Sequence, residues 1–244
     1  MRRIVVLEST GSTNDDARRL ATEGAPEGTV IVADRQMAGR GRLGRTWDSP
    51  DRAGLYLSVL LRPAEPQERI GRYPIAAAVA VCEACREIAG DLVVVKWPND
   101  VLSGRRKLAG ILAEVRQGST GADLVLGIGI NVNQAAEDFT AALRTTATSL
   151  RILLRGSTTD REAVAEALLR SLAAAIDGIR SGGWEEVAGR FLRYAPDAAG
   201  RRVRLTAGGE GLTAGLDPSG ALRVATANGI VLAHASESLT PLEE

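Results

Sequence analysis

Residues 39–45, which we call the Gly/Arg loop, have the composition of an anion-binding loop. They read Gly-Arg-Gly-Arg-Leu-Gly-Arg, so three glycines free the backbone to curl around a ligand, while three arginines and no acid lie among them. Arg40 and Arg42 are two residues apart on a Gly-flanked chain, and we predict that both guanidinium groups project to one side. Trp47 follows closely enough to cover a flat ring. This spacing favours a bound anion over a solvated basic loop, which is the alternative.

The loop does not fit the two familiar nucleotide-binding motifs. Its letters match Gly-x-Gly-x-x-Gly, but that motif binds a dinucleotide where it directly follows a strand and opens a helix. Here five residues separate Gly39 from the preceding predicted strand, and residues 46–50 do not begin a helix with an apolar face. The sequence also has no Gly-x-x-x-x-Gly-Lys-Ser/Thr motif. We therefore predict a non-helical anion cradle.

A second polar cluster follows a buried run of valines. Lys96 ends this run, Trp97 and Pro98 turn the chain out of the predicted sheet, and Asp100 comes next. Ligand sites of open sheets gather at such strand ends. Lys107 begins the next predicted strand, and only these two of the 30 basic residues are lysines. Their closeness favours a site that needs a compact ammonium group rather than a planar guanidinium.

Cysteine and histidine do not suggest a metal site. Cys82 and Cys85 lie in an Ala-rich helical stretch that no strand precedes, so we predict two buried thiols rather than a redox pair. His234 is the single histidine and is distant in sequence from both cysteines. A structural zinc site normally takes four such ligands, and we expect none here.

Hydrophobic periodicity predicts an α+β arrangement around these residues, with a second domain of short strands. The predicted strands of the first domain cover residues 29–33, 55–61, 92–96, 108–115 and 123–130, with a turn at 117–121. The predicted helices begin at Ser12, at residue 70 and at the Thr159-Asp160 cap, and a shorter helix ends near Tyr194. The strands predicted at 203–207, 211–216, 221–225 and 230–233 form a small antiparallel barrel. We place the domains at residues 1–196 and 197–244.

Charge and hydropathy exclude several classes of protein. Thirty acidic residues balance 30 basic ones, so nothing indicates a nucleic-acid binder. No apolar run approaches the ~18 residues of a membrane helix, and the first apolar run is too short for a signal peptide. We expect a cytoplasmic protein that binds no nucleic acid and no membrane.

Five motifs together resemble the biotin protein ligases in order and spacing, over residues 12–131, and the later helices and barrel extend the match to about residue 240. The motifs are Ser12-Thr13-Asn14, Gln36-x-x-Gly39-Arg-Gly-Arg-Leu-Gly-Arg45-x-Trp47, Lys96-Trp-Pro-Asn-Asp100, Arg106-Lys-Leu-Ala-Gly-Ile111 and Gly127-Ile-Gly-Ile-Asn131. The resemblance implies a mixed β-sheet with flanking helices, of the class II synthetase-like fold, and a Src-homology-3-like C-terminal barrel. It also implies that biotin and ATP give biotinyl-5′-AMP, and that biotin then passes to a lysine of a biotin carboxyl carrier protein.

The resemblance implies three overlapping sets of site residues. Those at biotin-binding positions are Ser12, Thr13, Gln36, Gly39, Arg40, Arg42, Lys107, Gly110, Gly127 and Gly129. Those at ATP- and adenylate-binding positions are Arg40, Arg42, Arg45, Trp47, Lys107 and Asn131. Those with a catalytic role are Arg42, Lys107, Asp100 and Lys96.

By similarity, Arg42 retains the adenylate and Lys107 contacts the reacting oxygens. Trp47 covers adenine and Asn131 hydrogen-bonds it, while the glycines let backbone approach the ligand. Asp100 is the candidate to orient or deprotonate the acceptor amine, because the one histidine lies in the barrel. Mg²⁺ is expected with ATP, held mainly by phosphates, since no carboxylate cluster is evident.

Alternatives remain open at this stage. A lipoate or octanoate protein ligase uses a related fold, although the Gly/Arg loop and residues 96–100 favour biotin. A non-catalytic nucleic-acid binder is disfavoured by the zero net charge. Some biotin ligases carry an N-terminal DNA-binding domain, but here the motifs begin near residue 12, so we expect a monofunctional enzyme. The sequence leaves open whether it forms a homodimer.

Overall fold

The computed structural model describes residues 3–118, 121–206, 208–234 and 239–242, and the strands in these ranges form two sheets. The strands of the first sheet are β1 Arg3–Thr10, β2 Thr29–Gln36, β3 Gly54–Leu61, β4 Val93–Lys96, β5 Asp100–Ser103, β6 Arg106–Gly118 and β7 Gly121–Asn131. The strands of the second sheet are β8 Ala199–Leu205, β9 Glu210–Leu216, β10 Leu222–Thr226, β11 Gly229–Ala233 and β12 Leu239–Pro241. The helices are α1 Thr13–Thr22, α2 Arg72–Ala89, α3 Leu150–Leu153, α4 Arg161–Arg180 and α5 Trp184–Tyr194.

The first sheet is mixed and has the order β1-β2-β3-β7-β6-β5-β4. Strands β1 and β2 are parallel, and the other neighbours are antiparallel. These pairings bring the carboxyl ends of β1, β2, β5 and β7 to the same end of the sheet as the amino ends of β3, β4 and β6. The Gly/Arg loop after β2 leaves from that end. The turn between β4 and β5 points the other way along the strands, but it reaches the same region because Asp100 pairs with Gly110 of β6.

Helices cover both faces of the first sheet. Strand β3 is buried along its whole length, and its alternate side chains serve two cores. Leu57 and Val59 pack in the larger core with α2, α4 and α5, whereas Leu60 packs with Ala17 and Leu20 of α1. The predicted mixed sheet with flanking helices is therefore confirmed.

Helix α2 lies at the centre of the larger core. Its run of small residues, with Ala76, Ala77 and Ala78 fully buried, lets neighbouring elements approach its backbone closely. Cys82 and Cys85 are both buried free thiols, as predicted. Burial raises the pKa of the Cys82 thiol to about 12.

The second sheet is antiparallel, with the order β11-β10-β9-β8-β12, and it fits the predicted Src-homology-3-like unit. It is anchored on the first residues of α2. Arg72 is buried, donates from Nε to the Pro218 carbonyl oxygen at 2.7 Å, and lies 5.0 Å from the centre of the Trp184 ring. A side chain at Gly220 would lie 2.9 Å from the carbonyl oxygen of Gly71, so only glycine permits this approach.

Several predicted elements match the structure and several were missed. The Asp160 cap is confirmed, because its side chain accepts a hydrogen bond from the Glu162 N–H at 2.9 Å. Strands β1, β5 and β12 and helix α3 were not predicted. Edge strand β1 exposes the apolar residues Ile4 and Val6, so its burial does not follow its apolar pattern. Strands β5 and β12 and helix α3 have only three or four residues each, too few for a clear pattern.

Two predicted segments extend beyond the described residues. These are the turn at 117–121 and the last residue of the strand at 203–207, which the structure ends at Leu205. The division at residue 196 stays a prediction, with α5 ending at Tyr194 and β8 starting at Ala199. Among the described residues, no helix is both long and apolar enough to span a bilayer.

Candidate active site

Two adjoining cavities open at the loop-bearing end of the first sheet. The larger holds about 620 Å³ and the smaller about 50 Å³. Five residues line both cavities: Gly41, Arg42, Trp47, Asn99 and Lys107. A ligand with two parts could therefore lie in both cavities, with its junction beside Arg42 and Lys107.

The smaller cavity has a floor of hydrogen-bonding side chains, which are buried except for the half-buried Gln36. Thr13 donates from its backbone N–H to Gln36 Oε1 at 2.9 Å, and Gln36 Nε2 donates to Ser49 Oγ at 2.9 Å. Ser58 Oγ lies 2.7 Å from Thr13 Oγ1 and 2.6 Å from Asn14 Oδ1. Because these groups hold one another, the donors and acceptors are fixed before a ligand arrives.

Most of the predicted biotin-binding residues line this smaller cavity. They are Ser12, Thr13, Gln36, Arg40, Arg42, Lys107, Gly110, Gly127 and Gly129. Gly39 does not. It is buried behind the loop, where its carbonyl accepts the Trp47 N–H at 2.9 Å and where a side chain would overlap the Trp47 backbone. Gly39 therefore lets the Gly/Arg loop fold back on itself.

Arg40 and Arg42 both line the smaller cavity, but their guanidinium groups have different partners. Arg40 Nη1 lies 2.7 and 2.8 Å from the two carboxylate oxygens of Asp15, and Nη2 lies 3.1 and 3.3 Å from those of Glu114. Arg42 Nη1 instead donates to Asn99 Oδ1 at 2.5 Å, and burial lowers its pKa. The cradle is thus less cationic than its sequence suggests, because two acids from other elements face Arg40.

Lys107 is held at the junction of the two cavities. Its Nζ lies 2.6 Å from Asp100 Oδ1 and 5.5 Å from the centre of the Trp47 ring. Asn99 fixes the neighbouring backbone, since its Nδ2 donates to the Ile111 carbonyl at 2.9 Å. The structure therefore brings together Lys107 and Asp100, while the exposed Lys96 lines the larger cavity next to them.

Trp47 lies across the two central strands. A side chain at Gly129 would come within 2.5 Å of ring atoms Nε1 and Cε2, and one at Gly110 within 3.2 Å of Cζ3. The space over Gly127 is filled by the Asn14 side chain. The indole Nε1 is buried without a hydrogen-bond partner among the described residues. These glycines thus accommodate side chains of the protein itself, and their backbone approach to a ligand stays a prediction.

The remaining predicted residues line the larger cavity. Arg45 is exposed at its rim. Asn131 is buried, donates from Nδ2 to the Thr148 carbonyl at 2.9 Å and accepts from Gln134 Nε2 at 3.2 Å. Asn131 therefore also ties the chain after β7 to the cavity wall.

Sequence reasoning missed two side chains of the site, Ser58 and Glu114, and gave no role to Asn14 and Asn99, which lie within the quoted motifs. Asn14, Ser58 and Asn99 form the hydrogen bonds described above, and Glu114 accepts one from Asn14 Nδ2 at 2.6 Å. Glu114 carried a usable signal, because it is the one acid in an otherwise apolar strand stretch, residues 108–115. Ser58 carried none, since a lone serine in a strand is unremarkable.

The known proteins that this chain resembles agree with the geometry of the site. The model of the Biotin/lipoate A/B protein ligase family matches residues 6–131. The bifunctional ligase/repressor BirA of Bacillus subtilis is 35% identical over 230 residues, which are 93% of this chain and 70% of that protein. The biotin–[acetyl-CoA-carboxylase] ligase of Mycobacterium tuberculosis is 38% identical over 232 residues, 91% of this chain and 82% of that protein.

A solved structure shares the whole fold. The biotin protein ligase from Aquifex aeolicus, in complex with biotin and ATP, superimposes with a TM-score of 0.84 at 31% identity. The match covers 99% of this chain and 100% of that one. The similarity therefore includes the C-terminal sheet as well as the site.

Proposed function

Because the chain belongs to the Biotin/lipoate A/B protein ligase family, we infer that it is a biotin protein ligase, which uses ATP to join biotin to a lysine of a biotin carboxyl carrier protein. The relatives described above are named for biotin, and one was solved with biotin and ATP bound. These findings favour biotin over lipoate or octanoate as the acyl group.

One observation carries the proposal: two cavities meet at Arg42 and Lys107. The small cavity, with its polar floor, suits the ureido ring of biotin. The large cavity suits a nucleotide, which brings several phosphate charges. The biotin carboxylate and the α-phosphate of ATP would then meet beside two cations.

The first step is the attack of a biotin carboxylate oxygen on the α-phosphorus of ATP. The new bond is a carboxyl–phosphate anhydride, and pyrophosphate leaves. Both reactants are anions, so fixed cations lower the barrier by offsetting their repulsion. We assign this role to Arg42 and Lys107, with Arg45 and Lys96 at the rim. Asp100 orients Lys107 through their 2.6 Å contact.

The second step is the attack of the carrier lysine amine on the anhydride carbonyl. An amide forms, AMP leaves with the bonding electrons, and the amine must lose a proton. Asp100 contacts Lys107 through Oδ1, and we assign the proton to its other oxygen. Asn131 and Trp47, which line the larger cavity, would hold the adenine of the leaving AMP.

Mg²⁺ would accompany ATP rather than occupy a protein site. Among the described residues, no group of three or more Asp, Glu, His or Cys side chains is placed to hold a metal ion. Among the described residues that line the larger cavity, only Asp48 and Asp100 carry carboxylates. The phosphates of ATP would therefore supply most of the oxygen ligands of the Mg²⁺ ion. A cytoplasmic location, the absence of DNA binding and a homodimer stay predictions.

The smaller cavity must enlarge to accept biotin. Its 50 Å³ holds only a few water molecules, whereas biotin has a bicyclic ring. Residues 40–42 of the Gly/Arg loop line this cavity, so we propose that a movement of the loop makes the room.

The test is incubation of the purified chain with ATP, biotin and a carrier domain. We expect avidin-reactive carrier and biotin-dependent pyrophosphate release, with lipoate a poor substitute. A carrier variant that lacks the acceptor lysine is the control. No labelled carrier, with pyrophosphate release independent of biotin, would refute the proposal.

A further inference from the structure

We propose that Glu114 and Asp15 are positioning residues that latch the Gly/Arg loop over the smaller cavity by clamping Arg40 from both sides. The proposal deepens the proposed function, on which it rests, by assigning control of biotin exchange to two acids outside the cavity lining. Arg40 is then the movable part of the latch rather than a free cation for the ligand.

The first support is the geometry of Arg40. Its two terminal nitrogens make four contacts of 2.7–3.3 Å with two carboxylates, one from α1 and one from β6. Arginine presents a planar fork that suits such pairing on two sides. The guanidinium is therefore neutralised, and it joins the loop to two rigid elements.

The second support is the connection between the latch and the cavity floor. Glu114 also accepts from Asn14 Nδ2 at 2.6 Å, and Asn14 Oδ1 in turn lies 2.6 Å from Ser58 Oγ. Asn14 and Arg40 both line the smaller cavity. One carboxylate thus holds a side chain of the floor and a side chain of the covering loop.

The third support is the size of the closed cavity. With the clamp made, only about 50 Å³ remains beneath the loop. Biotin needs more room than this, and residues 40–42 of the loop line the cavity, so a loop movement that enlarges it would separate Arg40 from its two acids. The latch should therefore set the rates of both binding and release.

The experiment compares biotin exchange in wild type and Glu114→Gln by stopped-flow kinetics. The amide keeps the shape but loses the charge, so we expect both rate constants to rise about fivefold while Kd changes less than about twofold. Added salt, from about 0.05 M to about 0.5 M, should speed exchange in wild type more than in the variant, which keeps only the Arg40–Asp15 pair.

Two further variants separate the latch from other roles. Arg18→Gln removes another partner of Glu114 and Asp15 without touching the loop, so it should exchange biotin like wild type. Arg40→Met removes the contacts with both acids, so it should exchange at least as fast as Glu114→Gln, and the double variant should be no faster than Arg40→Met. This non-additivity is expected only if both residues act through one contact.

The outcomes are distinct. If Arg40 served instead as a ligand-binding cation, removing its counter-charge would free it, and Glu114→Gln would release biotin more slowly. Slower or unchanged release in Glu114→Gln therefore overturns the latch. Weaker binding with an unchanged release rate indicates a merely structural role and also overturns it. A wild type that neither binds biotin nor labels carrier refutes the proposed function itself.

Discussion

Replacing Gly129 with alanine should disable adenylate formation by moving Trp47. The added methyl would lie 2.5 Å from the indole ring, whereas ordinary contact begins at 3.4 Å. The ring or strand β7 must therefore give way by about 0.9 Å. Overpacking of this kind costs about 1–3 kcal/mol of folding free energy. Since Trp47 borders both cavities, a shift of this size should lower the adenylation rate about 100-fold.

Gly110 provides the matched control on the neighbouring strand. A methyl there would lie 3.1 Å from Lys107 Cε and 3.2 Å from Trp47 Cζ3, and both neighbours need to move only a few tenths of an ångström. We expect Gly110→Ala to lose less than about 1 kcal/mol of stability and less than about tenfold in rate.

The assay is single-turnover pyrophosphate release at saturating biotin and ATP, with urea unfolding measured in parallel. Trp47 fluorescence, followed in a background with phenylalanine at the other two tryptophans, reports the ring position. Gly129→Ala with wild-type adenylation would refute the placement of Trp47. Equal losses in both alanine variants would show that the distances do not set the effect.

Three further predictions concern the remaining side chains. Lys107→Ala should reduce biotin-dependent pyrophosphate release at least about 100-fold, and near-normal release would contradict its role beside the reacting oxygens. Arg42→Gly should let biotinyl-AMP escape, which mass spectrometry would detect as biotin on unrelated lysines, and unchanged selectivity would count against it. Above pH 9.0 unfolded Cys82 loses its proton while the folded thiol, with a pKa of about 12, keeps it. The free energy of unfolding should therefore fall by about 1 kcal/mol per pH unit between these values, less steeply in Cys82→Ala, as urea titrations would show.

Much of the fold follows from local patterns in the sequence. Helix α2 and strands β2, β3, β6 and β7 each have a long, consistent apolar pattern, and tertiary packing agrees with it. Strand β5 escaped prediction because its four residues follow directly on a turn and gain their structure from pairing with β6. Such short elements depend on neighbours that are distant in the sequence.

Part of the site was predictable from the motifs that resemble those of biotin protein ligases. Arg42 and Lys107 line the same two cavities, because the loop after β2 and the start of β6 lie at one end of the sheet. The ion pairs of Arg40 were missed because Asp15 and Glu114 are 25 and 74 residues away from it, and no local pattern shows that they converge. Long-range ion pairs of this kind need the folded chain.

The seating of the C-terminal sheet on α2 matters to anyone who wishes to shorten this enzyme into a labelling reagent. Gly220 meets Gly71 at close range, and Arg72 binds the turn beside it. From the far side of the same sheet, Leu239 of β12 reaches the wall of the larger cavity. A version cut back to the first sheet would lose part of the wall of the larger cavity and uncover the buried Arg72. The smallest useful tool based on this chain must therefore keep both sheets.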